Sequence, residues 1–180
     1  MSLRTRDRSI TNVQIKHYYR YNPSFGGVYS KDELKTLSPD SRFYVVNLED
    51  FNDGDGSHWV LVYDVHPREI YYFDSYGLFP PPEIVEFMKK SGDSFGRPKR
   101  RFWSDAQYQT VESTQCGFYV IYVINLLQKG YEFKDIIKRS FSETNLMQNE
   151  RLLSVQFPQP HRELFRSLAT QRGLLKAVVP

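Results

Sequence analysis

The chain has 180 residues, of which 40% are hydrophobic and 25% charged, a balance that suits a soluble globular protein with one sizeable core and excludes a disordered or fibrous chain. A formal charge of +3 permits contact with nucleic acid or an acidic partner without requiring either. A single cysteine, Cys116, excludes an internal disulfide and a cysteine-cluster zinc site and suits a reducing compartment.

Met1 to Arg6 lacks the apolar centre of a signal peptide, and no apolar run approaches the roughly 20 residues needed to cross a bilayer. The expectation is a soluble monomer without membrane contact. Aromatic residues reach 16%, which favours strands and amphipathic groove walls over a helical bundle.

Residues 1–30 show no clean period. Ser30 followed by Glu33 marks a short helix that Ser38-Pro39 ends. Residues 43–48 (FYVVNL) read as a buried strand and 52–56 (NDGDG) as a loop. Residues 58–65 and 69–73 read as two strands joined by a turn at His66-Pro67-Arg68, which makes a hairpin. Pro80-Pro81-Pro82 leads into a helix over 83–90, with acids early and lysines late. Residues 91–98 form a loop and 101–109 an extended segment. Residues 116–127 (CGFYVIYVINLL) are strongly apolar, and their length and Gln128-Lys129-Gly130 ending predict a buried helix. Further helices are expected over 135–139, 143–153 and 161–170. No domain boundary is visible, so 1–180 reads as one domain.

The hairpin has a chemical consequence. With its turn near Pro67, His58 and Asp74 fall opposite or diagonal to each other. A carboxylate on one ring nitrogen fixes the tautomer and leaves the other nitrogen to act as a base. Cys116 opens the apolar helix, where the positive end of the helix dipole favours a nucleophilic sulfur. Gly117 lets the backbone approach a substrate closely. Acyl transfer needs two donors for an oxyanion: the Cys116 amide is one, and Gln107, Gln109 and Gln115 are candidates for the other.

Gly56-Ser57-His58-Trp59-Val60, Tyr72-Phe73-Asp74-Ser75-Tyr76-Gly77 and Gln115-Cys116-Gly117-Phe118-Tyr119-Val120, in that order, resemble motifs of the adenovirus-type and SUMO-deconjugating cysteine proteases (clan CE). The first is similar to that family's HW motif, the second to the segment carrying its acid and the third to its nucleophile motif, and the order His, Asp, Cys agrees. The resemblance covers about 43–127. It implies an α+β fold: a small central mixed or antiparallel sheet flanked by helices, with a buried central helix starting at the nucleophile. It implies His58 as general base, Asp74 as its orienting acid, Cys116 as nucleophile and Gln109 as oxyanion donor, with Gln107 as the alternative. Trp59, Gly117 and Gln115 become the expected substrate contacts, and no metal is called for.

The resemblance also implies activity on protein substrates, with cleavage after small residues such as Gly. The compact length suggests a viral or virus-like maturation protease acting on capsid or core proteins. Its place would be the host cytoplasm, nucleus, viral factory or virion, and not outside the cell. Gln115 stands where SUMO-deconjugating members carry Asp. A second cysteine, which the adenoviral enzyme uses to bind its peptide cofactor, is missing, so any peptide or DNA activator would bind non-covalently. Arg97, Lys99, Arg100 and Arg101 are the residues that would meet nucleic acid. Two other readings stay open: a deconjugase removing ubiquitin-like modifiers, and a catalytically silent binding module.

Overall fold

The computed structural model describes residues 9–53 and 57–158. In chain order it contains α1 (Asn12–Tyr18), β1 (Phe25–Ser30), a 3-10 helix (Lys31–Thr36), β2 (Phe43–Asn47), β3 (Trp59–His66), β4 (Glu69–Phe73), α2 (Pro82–Lys89), β5 (Arg100–Trp103), α3 (Cys116–Gln128), α4 (Phe133–Arg139) and α5 (Leu146–Gln156). The helix expected over 161–170 lies outside the described residues.

The five strands make one sheet in the order β1-β2-β3-β4-β5. The inner pairs β2/β3 and β3/β4 are antiparallel, and the outer pairs β1/β2 and β4/β5 are parallel, so the sheet is mixed. Every residue of β2 and of β4 is buried, because helices cover both faces. Alternation sends Val45, Leu61, Tyr71 and Phe73 to one face, where they meet α3, α4 and α5. Tyr44, Val46, Val60, Val62 and Tyr72 go to the other face, against Leu34 of the 3-10 helix and Ile84, Phe87 and Met88 of α2. Each such apolar side chain contributes about 1.5–3 kcal/mol when fully buried.

Two early elements depart from the sequence expectation. α1 forms on a capping box between Thr11 and Gln14, and β1 lies parallel to β2 as an edge strand. The helix expected after Ser30 is a 3-10 helix, although the predicted Ser30–Glu33 capping box is present. β5 spans only Arg100–Trp103, and the rest of the expected extended segment is loop. α5 starts at Leu146 rather than near 143, because Asn145 accepts from the Gln148 amide and caps it there.

α3 buries nine of its thirteen residues, and Gly130 closes it with a positive φ of 90°. Being apolar nearly all round, it is a core helix. Its N-terminus faces the sheet edge where β3 begins and β4 ends. Among the described residues no helix is long and apolar enough to cross a membrane.

Candidate active site

His58 directly precedes β3 and Asp74 directly follows β4. In the observed register Leu61 stands opposite Phe73, so His58 and Asp74 are diagonal neighbours across the hairpin. The His58 Nε2 lies 2.7 Å from Asp74 Oδ1, with the carboxylate side chain fully buried and the imidazole 10% exposed. The Tyr76 amide donates to the same oxygen at 2.7 Å and the Tyr72 hydroxyl to Oδ2 at 3.4 Å. Ser104 anchors the Asp74 backbone, accepting from its amide and donating to its carbonyl, both at 3.1 Å.

Cys116 is the first residue of α3 and is 5% exposed. Its side chain is the second hydrogen-bonding partner of the His58 imidazole. With Nε2 committed to Asp74, Nδ1 is the nitrogen left for the sulfur. Burial pushes the His58 pKa down. Hydrogen bonds to Asp74 and then Cys116, with the charges of both, outweigh burial and raise it to about 9. The imidazole therefore carries a proton at neutral pH.

The three glutamines have different surroundings. Gln109 is fully buried. Its Oε1 accepts from the Ser75 hydroxyl at 2.6 Å, and its Nε2 donates to the Ser113 carbonyl at 2.8 Å and to the Tyr76 hydroxyl at 3.2 Å. Gln107 is exposed, and its amide is turned onto the Gln109 carbonyl at 2.8 Å. Gln115 occupies the N-cap position of α3 and donates to Glu150 of α5 at 2.5 Å.

Trp59 is 7% exposed, and its indole N–H donates to the Ile10 carbonyl at 2.8 Å. A Cβ added at Gly117 would lie 2.0 Å from Ile10 Cγ2 and 3.1 Å from Trp59 Cδ1. The packing that requires glycine there is thus the N-terminal residue Ile10, not open groove. Of the basic cluster, Arg97 pairs with Asp93 at 2.8 Å, Lys99 with Asp64, and Arg100 with Glu69 at 2.7 Å. Arg101 has no carboxylate partner among the described residues. No group of three or more metal-binding side chains converges among the described residues.

Sequence reasoning assigned no part to Tyr76, Glu150 or Ile10. Tyr76 sat inside a quoted motif, and its ring stacks on His58 with centroids 4.7 Å apart. The Thr11–Gln14 spacing is a capping-box signal that points to α1 and so to an ordered segment around Ile10. For Glu150 no local signal exists, since its partners lie on a loop far earlier in the chain.

No family model matches the chain. Cysteine protease S273R of African swine fever virus (isolate Tick/Malawi/Lil 20-1/1983) is 24% identical over 152 residues, covering 77% of this chain and 55% of that protein. The chain thus spans about half the length of the curated relative it matches. The crystal structure of the ASFV pS273R protease superposes with a TM-score of 0.55 at 14% identity, covering 81% of this chain and 67% of that one. Its selenomethionine form gives a TM-score of 0.53 at 16% identity, covering 83% and 69%. In sequence the chain is thus similar to the S273R cysteine protease, and in fold to the crystal structures of that protein.

Proposed function

We propose that this chain is a cysteine endopeptidase, with Cys116 as nucleophile, His58 as acid–base and Asp74 holding His58 in place. One observation carries the reading: His58 bonds Asp74 through Nε2 at 2.7 Å while Cys116, opening a buried helix, is its other partner. Similarity to a viral cysteine protease supports it. The motifs shared with adenovirus-type cysteine proteases extend the reading to viral capsid or core proteins, cut after small residues such as Gly during maturation.

The reaction follows from the positions. The Cys116 sulfur, as thiolate opposite the His58 imidazolium, adds to the scissile carbonyl carbon. The carbonyl π electrons move to oxygen. Two donors meet that oxyanion. One is the Cys116 amide, which as the first in its helix has no intrahelical acceptor. The other is Gln109 Nε2, which turns from Tyr76, the longer of its two bonds, to the oxygen. His58 gives its proton to the leaving nitrogen as the C–N bond breaks. Water then loses a proton to His58 and attacks the thioester. The acid departs, and the sulfur and imidazolium are restored.

The test is a peptide aldehyde and a vinyl sulfone ending in Gly-Gly, read by intact mass on wild type, Cys116→Ala and His58→Ala. A single adduct on wild type, absent in Cys116→Ala and slowed in His58→Ala, is expected. An adduct of equal rate in the Cys116→Ala protein would overturn the assignment.

A further inference from the structure

Between Gln109 and Cys116 the chain crosses a loop that carries the proposed oxyanion donor and ends at the nucleophile. This loop has no regular secondary structure of its own, so side chains must fix its shape. They converge on one group, the carboxylate of Glu150 on α5, which is 7% exposed. Its Oε1 accepts from the Thr110 amide at 3.2 Å and lies 3.2 Å from the Tyr119 hydroxyl, whose one proton it shares with the Tyr108 carbonyl at 3.0 Å. Its Oε2 accepts from the Ser113 hydroxyl at 2.9 Å and from Gln115 Nε2 at 2.5 Å. Three of these donors sit on the loop and the fourth on the second turn of the catalytic helix.

We propose that Glu150 is a positioning residue for the oxyanion site: it holds the 110–115 loop so that the Gln109 amide and the Cys116 backbone N–H point at one oxygen. The inference rests on the protease reading above. The route to Gln109 is short. Glu150 fixes Ser113, and the Ser113 carbonyl accepts the Gln109 amide at 2.8 Å. Ser75 fixes the other end of that amide at 2.6 Å. The route to Cys116 runs through Gln115, the residue that N-caps its helix.

An ionised carboxylate suits the task better than any neutral side chain. It offers only acceptors, and the three loop neighbours all donate to it while Tyr119 shares its one proton with it. Charge-assisted bonds are also about twice as strong as neutral ones. An amide at this position would present an N–H₂ to two of the four donors, so one side of the loop would lose its anchor. An oxyanion site gains its effect from donors placed before the reaction, which makes a loosened loop costly.

Two reagents separate this role from a merely structural one. Alkylation of Cys116 by iodoacetamide passes through no oxyanion and reads only the thiolate. Reversible capture by a Gly-Gly peptide aldehyde, and turnover of a Gly-Gly amide substrate, both build an oxyanion. The chain has one cysteine, so intact mass reads alkylation without ambiguity. In Glu150→Gln, and in Ser113→Ala, which removes one anchor from the loop side and leaves α5 untouched, turnover and aldehyde affinity are expected to fall about tenfold or more while alkylation changes less than about twofold.

Equal losses in alkylation and turnover in the two variants would overturn the proposal, as would no loss in either. If Glu150→Gln does not fold, Ser113→Ala is read by the same criteria. A wild-type protein that is alkylated but neither binds the aldehyde nor turns over the amide would overturn the protease reading itself. A reactive wild type with unaffected variants overturns only the role of Glu150.

Discussion

Tyr76 lies over His58 with ring centroids 4.7 Å apart and an interplanar angle of 29°. Its backbone amide donates to Asp74 Oδ1, and its hydroxyl accepts from Gln109 and donates to the Ser113 carbonyl at 3.3 Å. One residue thus touches the imidazole with its ring, the carboxylate with its backbone amide and the proposed oxyanion donor with its hydroxyl. The ring packs on the imidazole, and the hydroxyl is a polar partner of Gln109 Nε2.

These two roles separate by substitution. Tyr76→Phe keeps the stack and drops the hydroxyl, and a loss of only a few-fold in turnover is expected. Tyr76→Ala frees the imidazole as well, and a loss of about tenfold or more in kcat is expected, since misplacement of a reacting group is expensive. Steady-state turnover of a Gly-Gly amide substrate measures both. Equal activity in the two variants would show that stacking on His58 contributes nothing.

The raised His58 pKa gives a pH dependence whose sign is fixed. The folded protein holds the His58 proton more tightly than the unfolded chain, with a pKa of about 9 against the 6.5 of a free histidine. The stabilisation is fully present below about pH 6.5 and is lost as pH rises through about 9, a change on the order of 3 kcal/mol. Urea midpoints should fall over that window in wild type. Because Cys116 is one cause of the rise, Cys116→Ala should titrate His58 at lower pH, as read from the imidazole proton shifts in NMR. An unchanged titration would remove the thiol from the account.

Much of the site was legible because it lies on a hairpin. Apolar runs and a two-residue turn bring the β3/β4 register to within one residue, and a shift between Tyr63 and His66 completes the pairing that makes His58 and Asp74 diagonal neighbours. The buried helix from Cys116 was legible from its composition. β1 was not, because Gly26 and Gly27 dilute its pattern. The ring of Tyr44 packs where a Gly26 Cβ would stand, 2.4 Å from Cε1, a contact made by a neighbouring strand and invisible locally. Glu150 escaped for a similar reason. A carboxylate on an amphipathic helix reads as solvent-facing until the loop that covers it is in place.

Gly117 supplies a test of the N-terminal segment. Its α-carbon faces Ile10, whose Cγ2 would be 2.0 Å from an added Cβ, while Ile10 also bonds Trp59 through its carbonyl. Gly117→Ala is expected to cost about 1–3 kcal/mol through overpacking. Ile10→Ala in the same chain removes the clashing methyl and should recover part of that loss, a coupling read by a double-mutant cycle in urea. Strict additivity of the two substitutions would show that Ile10 does not occupy the space beside Gly117.

The basic cluster is held largely by carboxylates of the same chain. The Lys99 side chain is 11% exposed and pairs with Asp64, itself 4% exposed and also bonded by the Ser91 hydroxyl. Arg97 and Arg100 face Asp93 and Glu69. A phosphate that took Lys99 would have to break its ion pair and leave a buried carboxylate behind, whereas Arg97 and Arg100, 66% and 70% exposed, each use only one nitrogen in their pairs. Lys99→Met is therefore expected to cost about 3–5 kcal/mol in stability, the penalty for an uncompensated buried charge. Any affinity for duplex DNA that this cluster contributes should come from Arg97, Arg100 and Arg101 and not from Lys99, so Lys99→Met should leave the log–log salt slope unchanged. Denaturant unfolding and a DNA-binding titration at two salt concentrations measure these. A shallower salt slope together with unchanged stability in the Lys99→Met protein would mean that Lys99 faces nucleic acid and that its pairing with Asp64 is incidental.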